Sequence, residues 1–142
     1  MEDSLRNPLD NLVTFLKDKY EPANTWTDEN ILKYLEWAAG NDFLFIARND
    51  DNSIAGAALA RPVANTPEDL FDHDRNGKNV HINFLVADNN KAFMLLGFVI
   101  LDAFNTCNTV SFNRIKKGII QKKSYSYKQV RNTLFNLRNH HG

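Results

Sequence analysis

The histidine at position 81 is the side chain of this sequence best suited to proton transfer. It lies in an alternating apolar segment, residues 78–87, which predicts a β-strand. A neutral imidazole on a strand that faces a substrate can take a proton from an attacking amine. A strand histidine can equally do no more than hydrogen-bond its neighbours. His81 is therefore a candidate general base with a structural alternative.

The remaining reactive side chains lack the neighbours that chemistry needs. His73 lies between Asp72 and Asp74, but one histidine in an acidic loop does not have the clustered spacing of a metal site. We therefore predict no metal ligands. Cys107 has no base close to it in the sequence and follows an apolar helical segment, which favours a packed thiol over a nucleophile.

The composition is that of one globular domain in a reducing compartment. The 142 residues are 43% hydrophobic, with 17 basic and 17 acidic side chains, and a chain of this length can bury a core without disulfides. Its single cysteine excludes an internal disulfide. Residues 1–10 lack the basic start and apolar run of a signal peptide, and the longest apolar run, residues 92–101, is about half of a bilayer span. We expect neither secretion nor a membrane segment.

The charges are divided between the two parts of the chain. Residues 1–102 hold nine basic and all seventeen acidic side chains, whereas residues 103–142 hold eight basic and no acidic ones. A basic segment of this kind predicts an anionic partner, which is either the acidic part of the same protein or an external molecule. The candidate partner-binding residues are Lys116, Lys117, Lys122, Lys123, Tyr125, Lys128 and Arg131.

Two amphipathic helices are predicted at the start of the chain. In the first, Asn7 is the expected N-cap, Pro8 occupies the first helical position, and Pro22 ends the pattern. The second is expected to begin after Thr27 as N-cap and to stop at Gly40, a residue that can take a positive φ. Both helices have an apolar face that must cover another layer.

A sheet is the expected layer beneath them. Residues 43–48 and 53–62 flank a dense turn signal and predict a hairpin, with Gly56 marking a bulge or a close backbone approach. A surface loop is predicted at residues 63–77. The strand at residues 78–87 should then place Val80, Ile82, Phe84 and Val86 on one face and His81, Asn83 and Leu85 on the other.

The second half of the chain predicts a buried helix and two more strands. A turn and cap at residues 88–90 precede a helix at residues 91–104, which is apolar on nearly every side and should be central. Strands are expected at residues 110–115 and 119–127, followed by a short basic helix.

This order of elements, from Trp26 to Ile115, resembles the GCN5-related N-acetyltransferase (GNAT) family. The resemblance implies an α+β fold with α/β layering, in which helices flank a mostly antiparallel central sheet in a single domain. We divide the chain into a GNAT-like domain, residues 1–118, and a basic C-terminal segment, residues 119–142, that packs on this domain or extends from it.

The resemblance also implies where acetyl-CoA would bind. In the family, N–H groups of a bulged strand hold the thioester carbonyl, and a glycine-rich turn wraps the pyrophosphate at the N-terminus of the next helix. The corresponding residues here are Phe84, Leu85 and Val86 on the strand and Asn89, Asn90, Lys91 and Ala92 at the turn.

The turn departs from the glycine pattern of the family in all three possible alignments of its basic position. The first glycine after it is Gly97, which is too deep in the helix to contact a phosphate. With Lys91, Asn90 or Asn89 at the basic position, the two small-residue positions are filled by Met94 and Leu96, by Phe93 and Leu95, or by Ala92 and Met94. We therefore expect weak or absent acetyl-CoA binding.

The C-terminal part carries a second resemblance. Residues 110–118, then residues 123–127 and a basic helix, are similar to the C-terminus of small acetyltransferase-like proteins of tailed bacteriophages. The resemblance implies phage origin and a location in the host cytoplasm or the virion.

We therefore predict a degenerate GNAT-like protein without a cofactor, which binds an acidic protein surface such as another virion component. The first alternative is an active acetyl-CoA-dependent N-acetyltransferase, with His81 or an ordered water as base. Tyr125 and Tyr127 could protonate the leaving thiolate, a role that the family often gives to a tyrosine, but they follow a different element of the chain from the one that the resemblance requires. The second alternative is a nonspecific nucleic-acid-binding protein, in which cations contact phosphates and the aromatic rings stack on bases.

Overall fold

The computed structural model describes residues 8–64, 73–116 and 119–141, which contain four α-helices and five strands. The predicted α+β class with a mostly antiparallel sheet is confirmed. The elements are α1 (Asp10–Lys19), α2 (Asp28–Gly40), β1 (Leu44–Arg48), β2 (Ile54–Val63), β3 (Asn79–Ala87), α3 (Asn90–Ala103), β4 (Thr109–Lys116), β5 (Ile119–Ser126) and α4 (Tyr127–His141).

The first helix is shorter than the sequence predicts. Pro8 lies in the turn before α1, not inside it, and the predicted cap Asn7 lies outside the described residues. The helix ends at Lys19, and Pro22 belongs to a separate 3-10 turn, Glu21–Thr25. The reason is that proline fits the start of this second turn, where no N–H donor is needed.

The second helix has the predicted N-cap, while its C-terminal end differs in one detail. The Thr27 hydroxyl accepts a hydrogen bond of 3.1 Å from the Asn30 N–H. The helix stops at Gly40 as expected, but the residue with positive φ is Asp42, at 63°. Aspartate tolerates this left-handed conformation better than most residues do.

The sheet has the order β1-β2-β3-β4-β5 and is antiparallel except between β3 and β4. The predicted hairpin of β1 and β2 is confirmed. A parallel pair requires a long crossover connection, and α3 supplies it between β3 and β4. Helices α1 and α2 pack on one face of the sheet, whereas α3 and α4 cover the other.

Strand β3 contains a bulge at Asn83, because Phe84 pairs with Leu59 while Ile82 pairs with the very next residue of β2. One extra residue reverses the direction of every side chain beyond it. Phe84 therefore packs in the core under α1 and α2, while Val80 and Ile82 pack under α3. The uninterrupted alternation predicted for this strand is wrong beyond Ile82.

Helix α3 is buried on one side only, so the prediction of a fully central helix is wrong. Ala92, Leu96 and Ile100 face the sheet and are buried. A helix in an outer layer exposes its opposite side whatever its composition. The large apolar side chains exposed on α3 are Phe93, Leu95 and Val99, with 41%, 50% and 41% of their surface accessible.

Helix α4 is longer than predicted and is anchored at its first turn. Ser126 and Gln129 form a reciprocal capping box, in which each backbone N–H donates to the other side chain at 3.0 and 3.1 Å. The Tyr127 hydroxyl donates to the Leu101 carbonyl at 2.7 Å. The buried side chain of Leu134 then packs on Gly97 of α3. No helix in the described ranges is long and apolar enough to cross a membrane.

We predict that Gly56→Ala destabilises the protein by about 1–3 kcal/mol. A Cβ atom at Gly56 would lie 2.9 Å from the Val86 carbonyl oxygen and 3.0 Å from Leu96 Cδ1, and the backbone atom cannot move away cheaply. Gly40→Ala is the matched control, since a Cβ there meets nothing within 4 Å. Urea unfolding should leave the control at least as stable as the parent; an equal loss in both variants would contradict the close approach.

Candidate functional site

Strands β3 and β4 diverge and open a V-shaped gap in the sheet. They pair only through residues 79–82 and 109–112. Beyond this point β3 continues beside β2 and β4 beside β5, and the bulge at Asn83 lies where the divergence begins. A cleft of about 250 Å³ lies at the opening, between β3, β4, α3 and α4, and Asn113 is the one polar residue among its described lining residues. We call it the V cleft.

The structure brings two of the three strand residues predicted to hold an acyl group to this cleft. Phe84 and Leu85 line it. Val86 pairs with Ala57 and packs against the core under α1 and α2. The arrangement places the bulged part of β3 at the opening, as the family resemblance implied.

The N-terminus of α3 is capped by its own chain. Only Asp88 and Asn89 connect β3 to α3. The Asn89 side-chain oxygen accepts a hydrogen bond of 2.8 Å from the Ala92 N–H, and the Asn89 carbonyl accepts one of 3.1 Å from the Phe93 N–H. Anions bind at helix N-termini through such N–H groups. The Phe93 bond is the first ordinary hydrogen bond of the helix, so of the four N–H groups that a helix leaves free at its N-terminus, the cap uses one, that of Ala92.

Side chains also occupy the first turn of α3. Phe93 is 41% exposed and lines the V cleft, so a phenyl ring stands at the predicted phosphate corner. Asn90 and Lys91 are exposed beside it, whereas Ala92 is buried. None of these four positions is a glycine.

His81 lies on the opposite face of the sheet from Val80 and Ile82. Its side chain is 4% exposed, and its Nδ1 atom lies 2.8 Å from the hydroxyl oxygen of Ser111 on β4. Which of the two groups donates depends on the imidazole tautomer. His81 thus forms the hydrogen bond to a neighbouring strand that was the alternative to a catalytic role, and it lies beside the apex of the V.

Positive charge and burial keep this histidine neutral. Burial, together with the nearby charges of Arg61 and Lys122, lowers the pKa of His81 from 6.5 to about 4. Arg61 is itself 1% exposed and lies opposite His81 in the β2–β3 ladder. His81 is thus neutral at pH 7, but a pKa this low makes it a weak base, and its access to solvent is small.

A second buried polar pair lies nearby. The Asn83 side-chain amide donates to the hydroxyl of Tyr34 on α2, and burial raises the pKa of Tyr34 to about 12. Sequence reasoning missed Arg61 and Ser111 as neighbours of His81 and Tyr34 as the partner of Asn83. Only Arg61 gave a signal, as a lone cation inside the apolar strand β2.

The other reactive side chains have structural surroundings. Cys107 is buried, its Sγ lies 3.9 Å from the Gly77 carbonyl oxygen, and burial raises its pKa. A packed thiol is therefore confirmed. His73 is exposed, and its ring packs on the rings of Trp37 and Phe43. Within the described part of the chain, no three His, Cys, Asp or Glu side chains come together as metal ligands.

The predicted basic residues are divided between the two faces of the sheet. Lys122 pairs with Asn113 on the face of Ser111, whereas Lys123 and Tyr125 lie on the α4 side, where the Tyr125 ring stacks on Phe112 at 5.9 Å. Of the others, Lys128 and Arg131 are exposed on α4, Lys116 ends β4, and Lys117 lies outside the described residues.

The ion pairs of the described residues belong to the acidic part of the chain. Lys17 lies 2.6 Å from Asp28, Lys19 lies 3.1 Å from Asp88, and Lys33 pairs with Glu29 one helical turn away. None of the basic side chains described in β5 and α4 takes part in these pairs. Among the described residues, no ion pair within 4 Å joins this basic segment to an acidic side chain.

Comparison with known proteins identifies the fold. No protein-family model matches the chain, and no curated protein matches it in sequence. A solved structure does match: GphF, a GNAT-like decarboxylase in complex with isobutyryl-CoA, with a TM-score of 0.59 and 18% identity over 77% of this chain. The fold is GNAT-like. The match covers 63% of the length of the GphF chain.

The GNAT-like fold inferred from element order is thereby confirmed. At 18% identity the similarity extends to the fold and no further.

We predict that stability falls as the pH drops from 6.5 towards 4, in part because of His81. The unfolded chain takes up a proton near pH 6.5, and the folded chain only near pH 4, so acid favours unfolding by up to about 3 kcal/mol. His81→Gln should flatten this part of the urea-derived stability profile. A slope in His81→Gln equal to that of the parent would refute the assignment.

Proposed function

We propose that this chain is a phage-encoded GNAT-like protein whose acyl-CoA site is degenerate, and that it acts as a binding or virion-associated component. The observation that carries the proposal is the N-terminus of α3. There the Asn89 side chain accepts from the Ala92 N–H, and Phe93 stands beside it where a glycine cradle would be required.

The cap and the ring oppose a diphosphate in different ways. A phosphate oxygen could use the Ala92 N–H only by displacing the Asn89 side chain, and an asparagine N-cap is worth about 1 kcal/mol. The exposed ring of Phe93 gives no hydrogen bond and keeps the anion away from the backbone. The V cleft itself is apolar apart from Asn113. A nucleotide diphosphate therefore gains little at this corner.

The outer surface of α4 is the proposed contact for a protein partner. Lys128, Arg131 and Arg138 are exposed there, and Arg131 and Arg138 both lie over the ring of Phe135, at 5.4 and 4.5 Å. Stacking holds the two guanidinium groups in fixed positions. With no acidic residue after Asp102, this surface favours an acidic protein. The similarity of residues 110–118 to phage proteins favours another virion component.

Two other functions have narrower support. An active N-acetyltransferase is favoured by the bulge in β3, and the GphF neighbour is a complex with an acyl-CoA. His81, however, is bound to Ser111 and buried. Nucleic-acid binding is favoured by the basic charge, yet the Tyr125 ring already stacks on Phe112, which leaves less of it for a base.

Calorimetry with acetyl-CoA and acetyl-pantetheine tests the degenerate site. If the diphosphate corner contributes nothing, both ligands should bind more weakly than micromolar and within about threefold of each other. An intact site would bind acetyl-CoA at least about tenfold more tightly than the ligand without the nucleotide. Lys91→Glu supplies the control, since a bound diphosphate would be repelled by the new carboxylate. Tight acetyl-CoA binding that Lys91→Glu weakens would overturn the proposal.

Charge reversal on α4 tests the partner surface. Cutting the chain before β5 would remove Leu134 from the core, so point variants are the better probe. We expect Lys128→Glu with Arg131→Glu to weaken salt-sensitive binding to poly-glutamate by about tenfold. The double variant Lys17→Glu with Lys33→Glu, on the distant helices α1 and α2, should have little effect. Stronger binding to poly-dT than to poly-glutamate would favour the nucleic-acid alternative instead.

A further inference from the structure

A second cleft adjoins the V cleft beneath α4. It measures about 410 Å³ and lies between the β4–β5 hairpin, α3 and α4. The two clefts share Phe93, Phe112, Val130 and Leu134 as walls. Together they reach the size of ordinary small-molecule sites, about 300–1,000 Å³. We call the combined space the α4 groove; it runs from Ile82 at the apex of the V to Leu137 near the end of α4.

The walls of the α4 groove offer almost nothing to a polar ligand. Besides Asn113 and the Tyr125 phenol, the polar residues lining its outer part are Gln129 and Thr133. The Gln129 side chain accepts from the Ser126 N–H, and the Thr133 hydroxyl donates to the Gln129 carbonyl. Both are thus engaged within the protein. The lining is otherwise aliphatic and aromatic, so the occupant that fits it is a hydrocarbon chain.

A cation lies beside the outer part of this groove. Lys123 pairs with Phe112 in the β4–β5 ladder, so the two side chains share the α4 face of the sheet. Lys123 is half-buried and is two residues from Tyr125, which lines the outer cleft. None of the described residues that line either cleft is acidic. An apolar groove with a lysine at its side favours an amphiphile with a negative head group.

We propose that the α4 groove binds a fatty acid, with its alkyl chain between α3, α4 and the β4–β5 hairpin and its carboxylate at Lys123. This proposal rests on the proposed function and adds a ligand to it. If the N-terminus of α3 does not hold the diphosphate of an acyl-CoA, a free fatty acid can occupy the groove in its place. The proposal does not depend on the identity of a protein partner. Helix α4 forms one wall of the groove, so the occupant and the basic surface belong to the same element.

Calorimetric titration with decanoate, decanol and decanoyl-CoA tests the proposal. Decanoate should bind saturably, and Val130→Phe, which fills the shared wall, should abolish this binding. Thr133→Phe is a second variant that fills the groove; because Thr133 is exposed, this change should not disturb folding if Val130→Phe does. Val99→Phe enlarges an exposed side chain of α3 that lies outside both clefts, and it should bind decanoate as the parent does.

The head group is tested by Lys123→Gln. We expect this change to weaken decanoate by about fivefold, the size of a partly exposed ion pair, and to leave decanol unchanged. Lys33→Gln on α2 is the matched control. The fatty-acid proposal would be overturned if decanoate did not bind, or if Val130→Phe and Val99→Phe lost decanoate affinity equally. Either result would leave the degenerate-site proposal intact. Decanoyl-CoA binding about tenfold more tightly than decanoate would overturn both.

Discussion

The bulge at Asn83 is the local constraint on which the rest of the structure depends. One extra residue in β3 turns Phe84 towards α1 and α2 and leaves Val80 and Ile82 under α3, so both cores receive large side chains from one strand. The pairing of β3 with β4 ends at the residue before the bulge. Strand divergence, cleft position and the division of the core therefore have one origin, because a bulge disrupts the ladder locally and bends the strand.

The C-terminal hairpin and helix convert this divergence into an enclosed space. Leu134 occupies the room that Gly97 leaves on α3, and the Tyr127 hydroxyl fixes the start of α4 to the end of the same helix. Without α4, the α3 side of the V would lie open to solvent. A segment that is basic and polar in composition thus contributes apolar walls on one side and cations on the other, as an amphipathic helix does.

The polar pair of His81 and Ser111 and the apolar groove under α3 and α4 lie on opposite faces of the sheet. His81 and Ser111 form a buried polar pair near Arg61, whereas the groove under α3 and α4 is apolar. Burying cations and a histidine together costs free energy, which the neutral state of His81 reduces. The sheet therefore separates the polar pair from the apolar groove.

Local patterns in the sequence determined the elements and several of their ends. The Thr27 cap, the β1–β2 hairpin and the Asn89 cap follow from hydrogen bonds within a few residues and from apolar periodicity. The GNAT-like order of elements could be predicted for the same reason. Tertiary structure alone decided which face each side chain of β3 joins, because a bulge is set by pairing with β2. It also brought Arg61 and Ser111 to His81, since register between distant strands leaves no mark in either segment alone.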